Sequence, residues 1–593
     1  MEVFLVQHLE QPSEVSEVLG SLILGLDSAA HILWRLFSAS FIALLIYIYW
    51  QQFRGCGKWF CSERVFLLLS AACLLLLRFP IYAASEINPD EAEWIAGAAT
   101  LLRDPRFWIS VDGTTSGPLN IYPLCLIGLL NIPLSYASVR IFLMLALVIP
   151  TFYFNYLSLK LFFSRTVAQT VILPFLIFFS LTSHYDLSFY SSEYVSVLLI
   201  SIVIFLYATY SKSPSFLLLS AAGFILGLLP YAKFQSLPIG FILGVFFITN
   251  ILFEGTLAPR KKVLKVLALC FFALIPSVIV LAYLFSFNAY VHFWESYIVN
   301  NLIYGGKVSV RDTLLGLPKI ILLYSKDTLG YYITAAIIPI VGAIVLLKKK
   351  HLILNRHIRF LLFSHLLFLA TYYAIGKGWG FPHYQIFVFT PIILINAFYL
   401  NIILSQSNNV RLSNTVTAFL IILSASMIIP DNAIVSKILA EKEPGPHDII
   451  SKRISNYSKP GDKLLVYGFQ DILNSNGTYY LQTGMTQATK ESHSQRPEGF
   501  LGSPEQVKYY QKRYLDDIRA NKPRAIIDLT KEDTSSNFYP SLRAYVITNY
   551  FLDTIAYRNI GGRNAASTRT IKLKRVPTKI YIRKESSQLL SGK

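Results

Sequence analysis

Two adjacent carboxylates, Asp90 and Glu91, stand in a polar stretch directly after an apolar run, in a chain that is otherwise mostly apolar. A charged side chain is costly to leave in lipid, so this pair is expected to face water or a polar cavity and indicates a functional site. A carboxylate held beside a hydroxyl can take its proton as a general base. The pair therefore predicts proton-transfer chemistry at the edge of a membrane.

The same short stretch also fits a structural role. Asn88 suits an N-cap, Pro89 the first position of a helix and Glu91 the third, which together resemble a capping box. Acids in the first turn are further favoured by the helix dipole. The motif alone leaves catalysis and capping open, and the surrounding elements must decide between them.

Other ionisable and aromatic residues recur at turns predicted on the same side of the membrane. They are Asp186, Lys233, Lys377, His383 and Tyr384, and Glu193 is predicted about two helical turns beyond Asp186, in the following span. Four of them have a simpler alternative: Asp186 can cap the following helix, Lys233 can extend to the headgroups, and His383 and Tyr384 can belong to an interfacial aromatic belt. Taken together, acids opposite basic groups at a bilayer surface suit a lipid-linked phosphate and a hydroxyl acceptor.

These residues must be positioned by membrane helices, because 54% of the 593 residues are hydrophobic and only 15% are charged. Apolar runs near the ~20 residues of a spanning helix predict a polytopic α-helical protein of about 12 spans. The predicted spans lie at about 33–50, 65–84, 137–160, 166–182, 189–209, 214–230, 236–253, 264–286, 327–347, 358–375, 382–403 and 413–430.

Lys and Arg collect in alternate loops, and the positive-inside rule makes those loops cytoplasmic. The loop at about 85–136 and the chain after 430 are then extracytoplasmic. This assignment accounts for much of the net charge of +19 through the basic cytoplasmic loops. The basic outer tail favours an anionic lipid surface or acceptor as partner, and nucleic acid is not expected outside the membrane.

The chain divides into a membrane domain, 1–430, and a soluble extracytoplasmic domain, 431–593. In the second, helical stretches near 446–457, 505–520 and 538–550 alternate with strands at Lys463–Tyr467, Arg524–Asp528 and Lys579–Ile582. This alternation predicts a small α/β domain. Within the outer loop 85–136 the pattern predicts two juxtamembrane helices, Glu91–Leu102 and Leu119–Leu130.

The order of these elements resembles the GT-C glycosyltransferases, and is most similar to the branch with protein O-mannosyltransferases and the aminoarabinose transferase acting on lipid A. The shared features are an Asn-Pro-Asp-Glu loop with juxtamembrane helices, a later Tyr-Asp turn, a Pro-His-Tyr-Gln start to a late span, and a soluble tail. One departure is Ser116-Gly117-Pro118-Leu119, where the branch often carries a Lys-Pro-Pro-like stretch.

The resemblance implies a GT-C-like fold and transfer of a sugar from a polyprenyl-phosphate donor to an acceptor hydroxyl on the outer face, with inversion. We expect Asp90 to be the general base, with Glu91 and Asp186 orienting the acceptor. The remaining assignments are phosphate contacts at Lys233, Arg103 and Lys377, and side chains lining the site at His383, Tyr384 and Glu193. A divalent cation (Mg, Mn or Zn) would be held by Asp90 and Asp186.

The implied partners are the lipid-linked donor, membrane lipids and an envelope glycan, lipid or protein acceptor. The implied location is the plasma (inner) membrane, with the site and the tail outside. Two other functions remain open on the sequence: a transporter or flippase of a lipid-linked sugar, and a non-catalytic envelope-assembly protein. A transporter more often carries its ionisable residues in mid-span, whereas the acids here stand in outer loops.

Overall fold

The computed structural model describes most of the chain, as a helical membrane bundle followed by a smaller sheet-containing domain. The described residues are 14–53, 62–84, 86–182, 184–255, 257–306, 309, 311–312, 315, 326–348, 355–377, 381–405, 446–468, 476–491, 497–498, 504–529, 538–560 and 574–584. The predicted span at 413–430 lies outside these ranges, as do Ser183 and the predicted domain boundary at 430.

Nine helices within the described ranges are long and apolar enough to cross a membrane. They are Ile32–Gln52, Glu63–Ala83, Tyr136–Phe162, Glu193–Lys212, Phe234–Leu252, Pro259–Ser286, Tyr331–Lys348, Ile358–Lys377 and His383–Ser405. Two shorter apolar helices, Arg165–Leu181 and Phe216–Ala232, coincide with the predicted runs at 166–182 and 214–230. The protein is therefore a multi-pass membrane protein, as the sequence predicts.

Burial separates the centre of the bundle from its periphery. The apolar window of His383–Ser405 is 89% buried, whereas that of Pro259–Ser286 is only 11% buried. A helix that is apolar all round and buried belongs inside a bundle, while an exposed apolar helix is suited to contact lipid. Helix His383–Ser405, which begins with His383, therefore lies at the centre of the bundle.

The outer loop forms the two predicted short helices, Pro89–Leu101 and Tyr122–Leu129. We call Pro89–Leu101 the site helix. Although it lies in a loop between two spans, its residues from Glu91 to Ala98 are all buried. The reason is tertiary: the C-terminal sheet-containing domain, which we call the soluble domain after its prediction, covers the face that would otherwise be exposed.

The soluble domain is a five-stranded mixed sheet with helices on both faces. Its strands are β1 Lys463–Tyr467, β2 Thr486–Gln487, β3 Ala525–Asp528, β4 Tyr550–Ile560 and β5 Lys574–Arg583, in the order β2-β1-β3-β5-β4. The β1 strand pairs in parallel with β2 and β3, and β5 pairs antiparallel with β3 and β4. Its helices are Pro446–Ser455, Asn476–Thr483, Pro504–Asn521 and Pro540–Asn549.

Successive side chains along each strand point alternately to the two faces of the sheet. Leu464 and Val466 pack on one face with Ile450 and Tyr479, and the core there also includes Ala96 of the site helix. The soluble domain and the site helix therefore share one hydrophobic core. Gly477 lies so close to the site helix that an added Cβ would be 2.3 Å from the carbonyl carbon of Ala92.

Candidate active site

The site begins at the N-terminus of the site helix. Asn88 caps this helix, because its Oδ1 accepts a hydrogen bond from the Asp90 N–H at 3.0 Å. The same side chain donates through Nδ2 to Asp186 Oδ1 at 2.9 Å. Asn88 therefore ties the capped end of the site helix to the turn that carries Asp186, and the predicted capping role is real.

Capping leaves the Asp90 carboxylate itself available. The side chain is half-buried, and no described residue donates a hydrogen bond to it. Burial raises the pKa of Asp90; Lys233 and His383 act in the opposite direction, whereas the charges of Glu193 and Asp186 raise it further. A carboxyl with a raised pKa and unused acceptor oxygens is suited to take a proton.

Asp186 and His383 form the next part of the cluster. Asp186 is in the short 3₁₀ turn Tyr185–Leu187 and is only 4% exposed. Its Oδ1 lies 3.8 Å from Nδ1 of His383, which is 9% exposed. The His383 ring stands 4.5 Å from that of Tyr384, centroid to centroid. The start of the central helix thus brings an imidazole and a phenol beside the acids, as predicted.

A buried ion pair joins Glu193, which begins helix Glu193–Lys212, to Lys233, which directly follows helix Phe216–Ala232. Lys233 Nζ is 2.5 Å from Glu193 Oε1, donates to Ser192 Oγ at 2.7 Å, and lies 4.8 Å from the centroid of the Tyr384 ring. Ser191 also donates a hydrogen bond to Glu193. Glu193 was predicted about two helical turns beyond Asp186, inside the span 189–209, but helix Glu193–Lys212 begins at this residue. Its carboxylate therefore lies at the level of the site.

The segment after Asp112 holds Lys233 in place. Ser116 forms an antiparallel bridge with Lys233, and the Gly117 N–H donates to the Ala232 carbonyl at 3.0 Å. A Cβ on Gly117 would lie 2.0 Å from the Tyr231 carbonyl oxygen, so the backbones approach too closely for any side chain. The stretch that lacks the family's lysine thus supports the backbone of Lys233 instead.

Glu91 differs from its predicted catalytic role. It is fully buried, and Arg140 binds it through Nε at 3.0 and 3.1 Å and through Nη2 at 2.5 Å. The backbone N–H of Tyr190 donates to Oε1 at 2.9 Å. Arg140 in turn donates to the carbonyls of Ile81 and Ala84. These contacts use both carboxylate oxygens, so we assign Glu91 to holding the site helix rather than to chemistry.

Arg103 lies away from the cluster. It follows the C-terminal end of the site helix, about 20 Å from Asp90 at 1.5 Å per residue. It is exposed, and its guanidinium packs against Gly461 of the soluble domain. The geometry does not support the predicted phosphate contact at this residue, because the length of the site helix separates Arg103 from Asp90.

Lys377 ends helix Asn355–Lys377, and its Nζ lies 5.9 Å from the centroid of the Tyr373 ring. Within the described residues, no group of three or more His, Cys, Asp or Glu side chains is arranged to hold a metal ion. Asp90 and Asp186 alone do not make such a donor set, so the divalent cation stays a prediction.

Sequence reasoning did not find three contributors to the site. They are Arg140, which neutralises Glu91, Ser192, which binds Lys233, and Tyr304, whose hydroxyl lies 3.2 Å from that of Tyr384. Burial raises the pKa of Tyr304 to about 12, with Asp90 among the charges that contribute. The only signal for Tyr304 was the Tyr-rich outer segment 287–327, because a lone Arg in a span or a Ser at a helix start has no distinctive pattern.

The sequence matches no protein-family model and no curated protein. Among solved structures the chain is similar to ArnT from Cupriavidus metallidurans in the apo state, with a TM-score of 0.50 and 10% identity, covering 87% of this chain and 98% of that one. It is also similar, at a TM-score of 0.43 and 12% identity, to the Archaeoglobus fulgidus oligosaccharyltransferase tethered with an acceptor peptide containing the NVT sequon, covering 83% and 73%. The likeness to ArnT extends over nearly the whole of both chains, and the protein has a GT-C-like fold.

Proposed function

We propose that the protein is an integral-membrane glycosyltransferase that moves a sugar from a polyprenyl-phosphate donor to an acceptor hydroxyl, at the outer face of the plasma membrane. The observation that carries the proposal is the Asp90 carboxylate, half-buried beside Lys233 and His383 and without a hydrogen-bond donor among the described residues. The shared fold with ArnT supports the same class of enzyme.

In the proposed reaction Asp90 is the general base. The acceptor hydroxyl gives its proton to the Asp90 carboxylate while its oxygen forms a bond to the anomeric carbon of the donor. Positioned proton transfer of this kind contributes typically 10²–10⁴-fold to a rate. The raised pKa of Asp90 increases its basicity, and the carboxylate remains available because Asn88 caps the helix through its own side chain.

The bond that breaks joins the anomeric carbon to a phosphate oxygen, and the electron pair leaves with the polyprenyl phosphate. A direct in-line displacement inverts the anomeric centre. The developing negative charge needs a cation, and preorganised cations are effective in a site that excludes water. Lys233 supplies an ammonium group in the cluster, and of its three N–H donors one binds Glu193 and another Ser192. The third is available for a phosphate oxygen.

Glu193 then has a positioning role. It forms a buried ion pair with Lys233 and so holds this side chain at the site. Asp186 positions His383 in the same way, with its Oδ1 3.8 Å from Nδ1 of the imidazole. Asn88 in turn orients Asp186 through a hydrogen bond. The cluster therefore contains one acid free to react and two acids committed to neighbours.

The test compares two neighbouring acids of the same helix. Asp90→Asn keeps the size of the side chain but removes the base, so transfer should fall by two or more orders of magnitude with an unchanged melting temperature. Glu91→Gln is the matched control: it breaks a buried ion pair, which costs about 3–5 kcal/mol of stability. It should lower the melting temperature, while the folded fraction keeps most of its activity.

The measurement is release of polyprenyl phosphate and gain of sugar on the acceptor. Mass spectrometry of envelope glycans and lipids, from cells with and without the protein, would first identify the sugar and its acceptor. Transfer by Asp90→Asn at close to the parental rate would contradict the assignment of the base. An envelope unchanged by loss of the protein would contradict the glycosyltransferase itself.

A further inference from the structure

A cavity of about 480 Å³ lies among the membrane helices, away from the acid cluster of Asp90, Asp186 and Glu193. Most of its wall is aromatic, and the rings belong to Phe162, Tyr207, Phe246, Phe253, Phe360 and Phe363. Several of these rings pack edge to face, for example Phe246 on Phe363 and Phe162 on Phe360, each with 4.9 Å between centroids. The volume and the apolar wall are typical of a site for a small amphiphilic molecule.

The cavity and the acid cluster are at opposite ends of the bundle. Helix Glu193–Lys212 has 20 residues and is therefore about 30 Å long, close to the thickness of the hydrocarbon core. Its first residue, Glu193, is in the acid cluster, whereas Tyr207 and Ser211 near its last turn line the cavity. The cavity therefore faces the membrane surface opposite Asp90, and a donor bound at Asp90 does not account for it.

One edge of the cavity is polar. Arg359 lines it, with its guanidinium 5.5 Å from the centroid of the Phe253 ring, and Asn250 donates to Ser211 Oγ at 2.8 Å. Arg359 is exposed, and no carboxylate among the described residues forms an ion pair with it. A guanidinium stacked on a ring, with unused donors, is suited to bind a phosphate group.

The surroundings of this edge are basic. Lys212 ends one helix at this surface, and Arg260, Lys261 and Lys262 begin the helix Pro259–Ser286. Such clusters of Lys and Arg at the end of membrane helices attract anionic lipid headgroups. Free phosphate would make use of the charge but not of the aromatic wall, whereas a phospholipid would use both.

We infer that this cavity binds one anionic phospholipid from the leaflet opposite the acid cluster. Its phosphate lies at Arg359, beside the amide of Asn250, and an acyl chain lies against the aromatic wall. The inference does not depend on the proposed transfer reaction, because it concerns a separate surface and its test needs no catalysis.

The test measures lipid binding to the full-length protein by native mass spectrometry, during titration with phosphatidylglycerol or with phosphatidylcholine. The parental protein should retain phosphatidylglycerol in preference to phosphatidylcholine. Arg359→Gln should weaken the tightest phosphatidylglycerol site roughly tenfold, since it removes charge-assisted hydrogen bonds to phosphate. Arg260→Gln removes the same charge from the same surface but not from the cavity, and should retain this site.

A second variant keeps the test independent of charge. Asn250→Phe fills the polar edge without altering the net charge and should also abolish the tight site, while the melting temperature shows that the protein is folded. Inorganic phosphate should not compete with the lipid. Equal retention of the two lipids by the parental protein, equal losses in Arg359→Gln and Arg260→Gln, or displacement by inorganic phosphate would each overturn the inference.

Discussion

The acids of the site differ in how much of their hydrogen-bonding capacity the protein already uses. Glu91 is saturated by Arg140 and a backbone N–H, and Glu193 is paired with Lys233. Asp90 accepts no hydrogen bond from a described residue. A buried carboxylate that is fully paired stabilises structure, whereas one with unused oxygens can accept a proton, so residues of one chemical type acquire different roles from their neighbours alone.

The same reasoning sharpens a test of Lys233. Replacing it alone by Met leaves Glu193 buried and unpaired, which destabilises the protein by about 3–5 kcal/mol. A loss of activity in that variant would then not distinguish unfolding from a lost phosphate contact. The double variant Lys233→Met with Glu193→Gln removes both charges and should recover most of the melting temperature. If Lys233 binds the phosphate of the donor, the double variant should still use the lipid donor poorly, with a raised KM or a lowered kcat.

If the double variant recovers both donor use and stability, Lys233 does not bind the donor phosphate and its role is structural. Lys233→Arg is a further comparison: it keeps the charge but has a different shape, so it should keep part of the donor use. The measurements are thermal unfolding and initial rates over a range of donor concentrations.

At the level of elements, the site helix is fixed on two sides. Its N-terminus is held through Asn88 and Glu91, and its outer face is covered by helix Asn476–Thr483 of the soluble domain. Thr478 donates to Glu86 at 2.6 Å, just before the helix begins. The soluble domain therefore contributes to the position of the helix that carries Asp90.

This arrangement predicts a distant effect at Gly477. Gly477→Ala places a methyl group 2.3 Å from the carbonyl carbon of Ala92, which the two packed backbones cannot accommodate. Overpacking of this kind costs about 1–3 kcal/mol. The variant should show a lowered melting temperature, faster proteolytic release of the soluble domain and a reduced transfer rate.

Gly244→Ala is the matched control, because its added Cβ meets nothing within 4 Å and alanine is the better helix former. It should be neutral or slightly stabilising. Gly477→Ala that behaves like this control would mean that the soluble domain does not hold the site helix.

At the scale of the whole molecule, the two polar regions lie at opposite ends of the membrane bundle. The acid cluster is at the start of helix Glu193–Lys212 and the aromatic cavity at its end. The distribution of Lys and Arg predicts that the cluster faces outward. The proposed transfer at the outer face requires this orientation, whereas the lipid site requires only that its cavity lie at the opposite surface.

Cysteine labelling tests this orientation. In a variant whose five native cysteines are replaced, cysteines at Thr114 and Lys508 should react with an impermeant thiol reagent added outside, whereas one at Ser213 should react only after the membrane is opened. Reaction at position 213 from outside would reverse the sidedness and contradict an extracytoplasmic site.

The elements of the fold could largely be read from local patterns. Apolar runs of about 20 residues predicted eleven of the helices in the described ranges, since a bilayer imposes a length on each span. Strand β1 and the helices near 446, 505 and 540 were also predicted, because hydrophobic periodicity is a local property. Strand β2 was missed because it has only two residues and forms by pairing with β1, and strand β4 and helix Asn476–Thr483 were missed as well.

The site itself was only partly predictable. The sequence alone determined which residues carry charge at the outer ends of the helices, and so it named Asp90, Asp186, Lys233 and His383 as one group. Only the tertiary structure determined which of them are paired and which one is available to react. Arg140, 49 residues along the chain, neutralises Glu91, and Lys233 finds Glu193 across the bundle. A residue's partner determines its ionisation and its freedom to react, and partners far apart in sequence are chosen by packing.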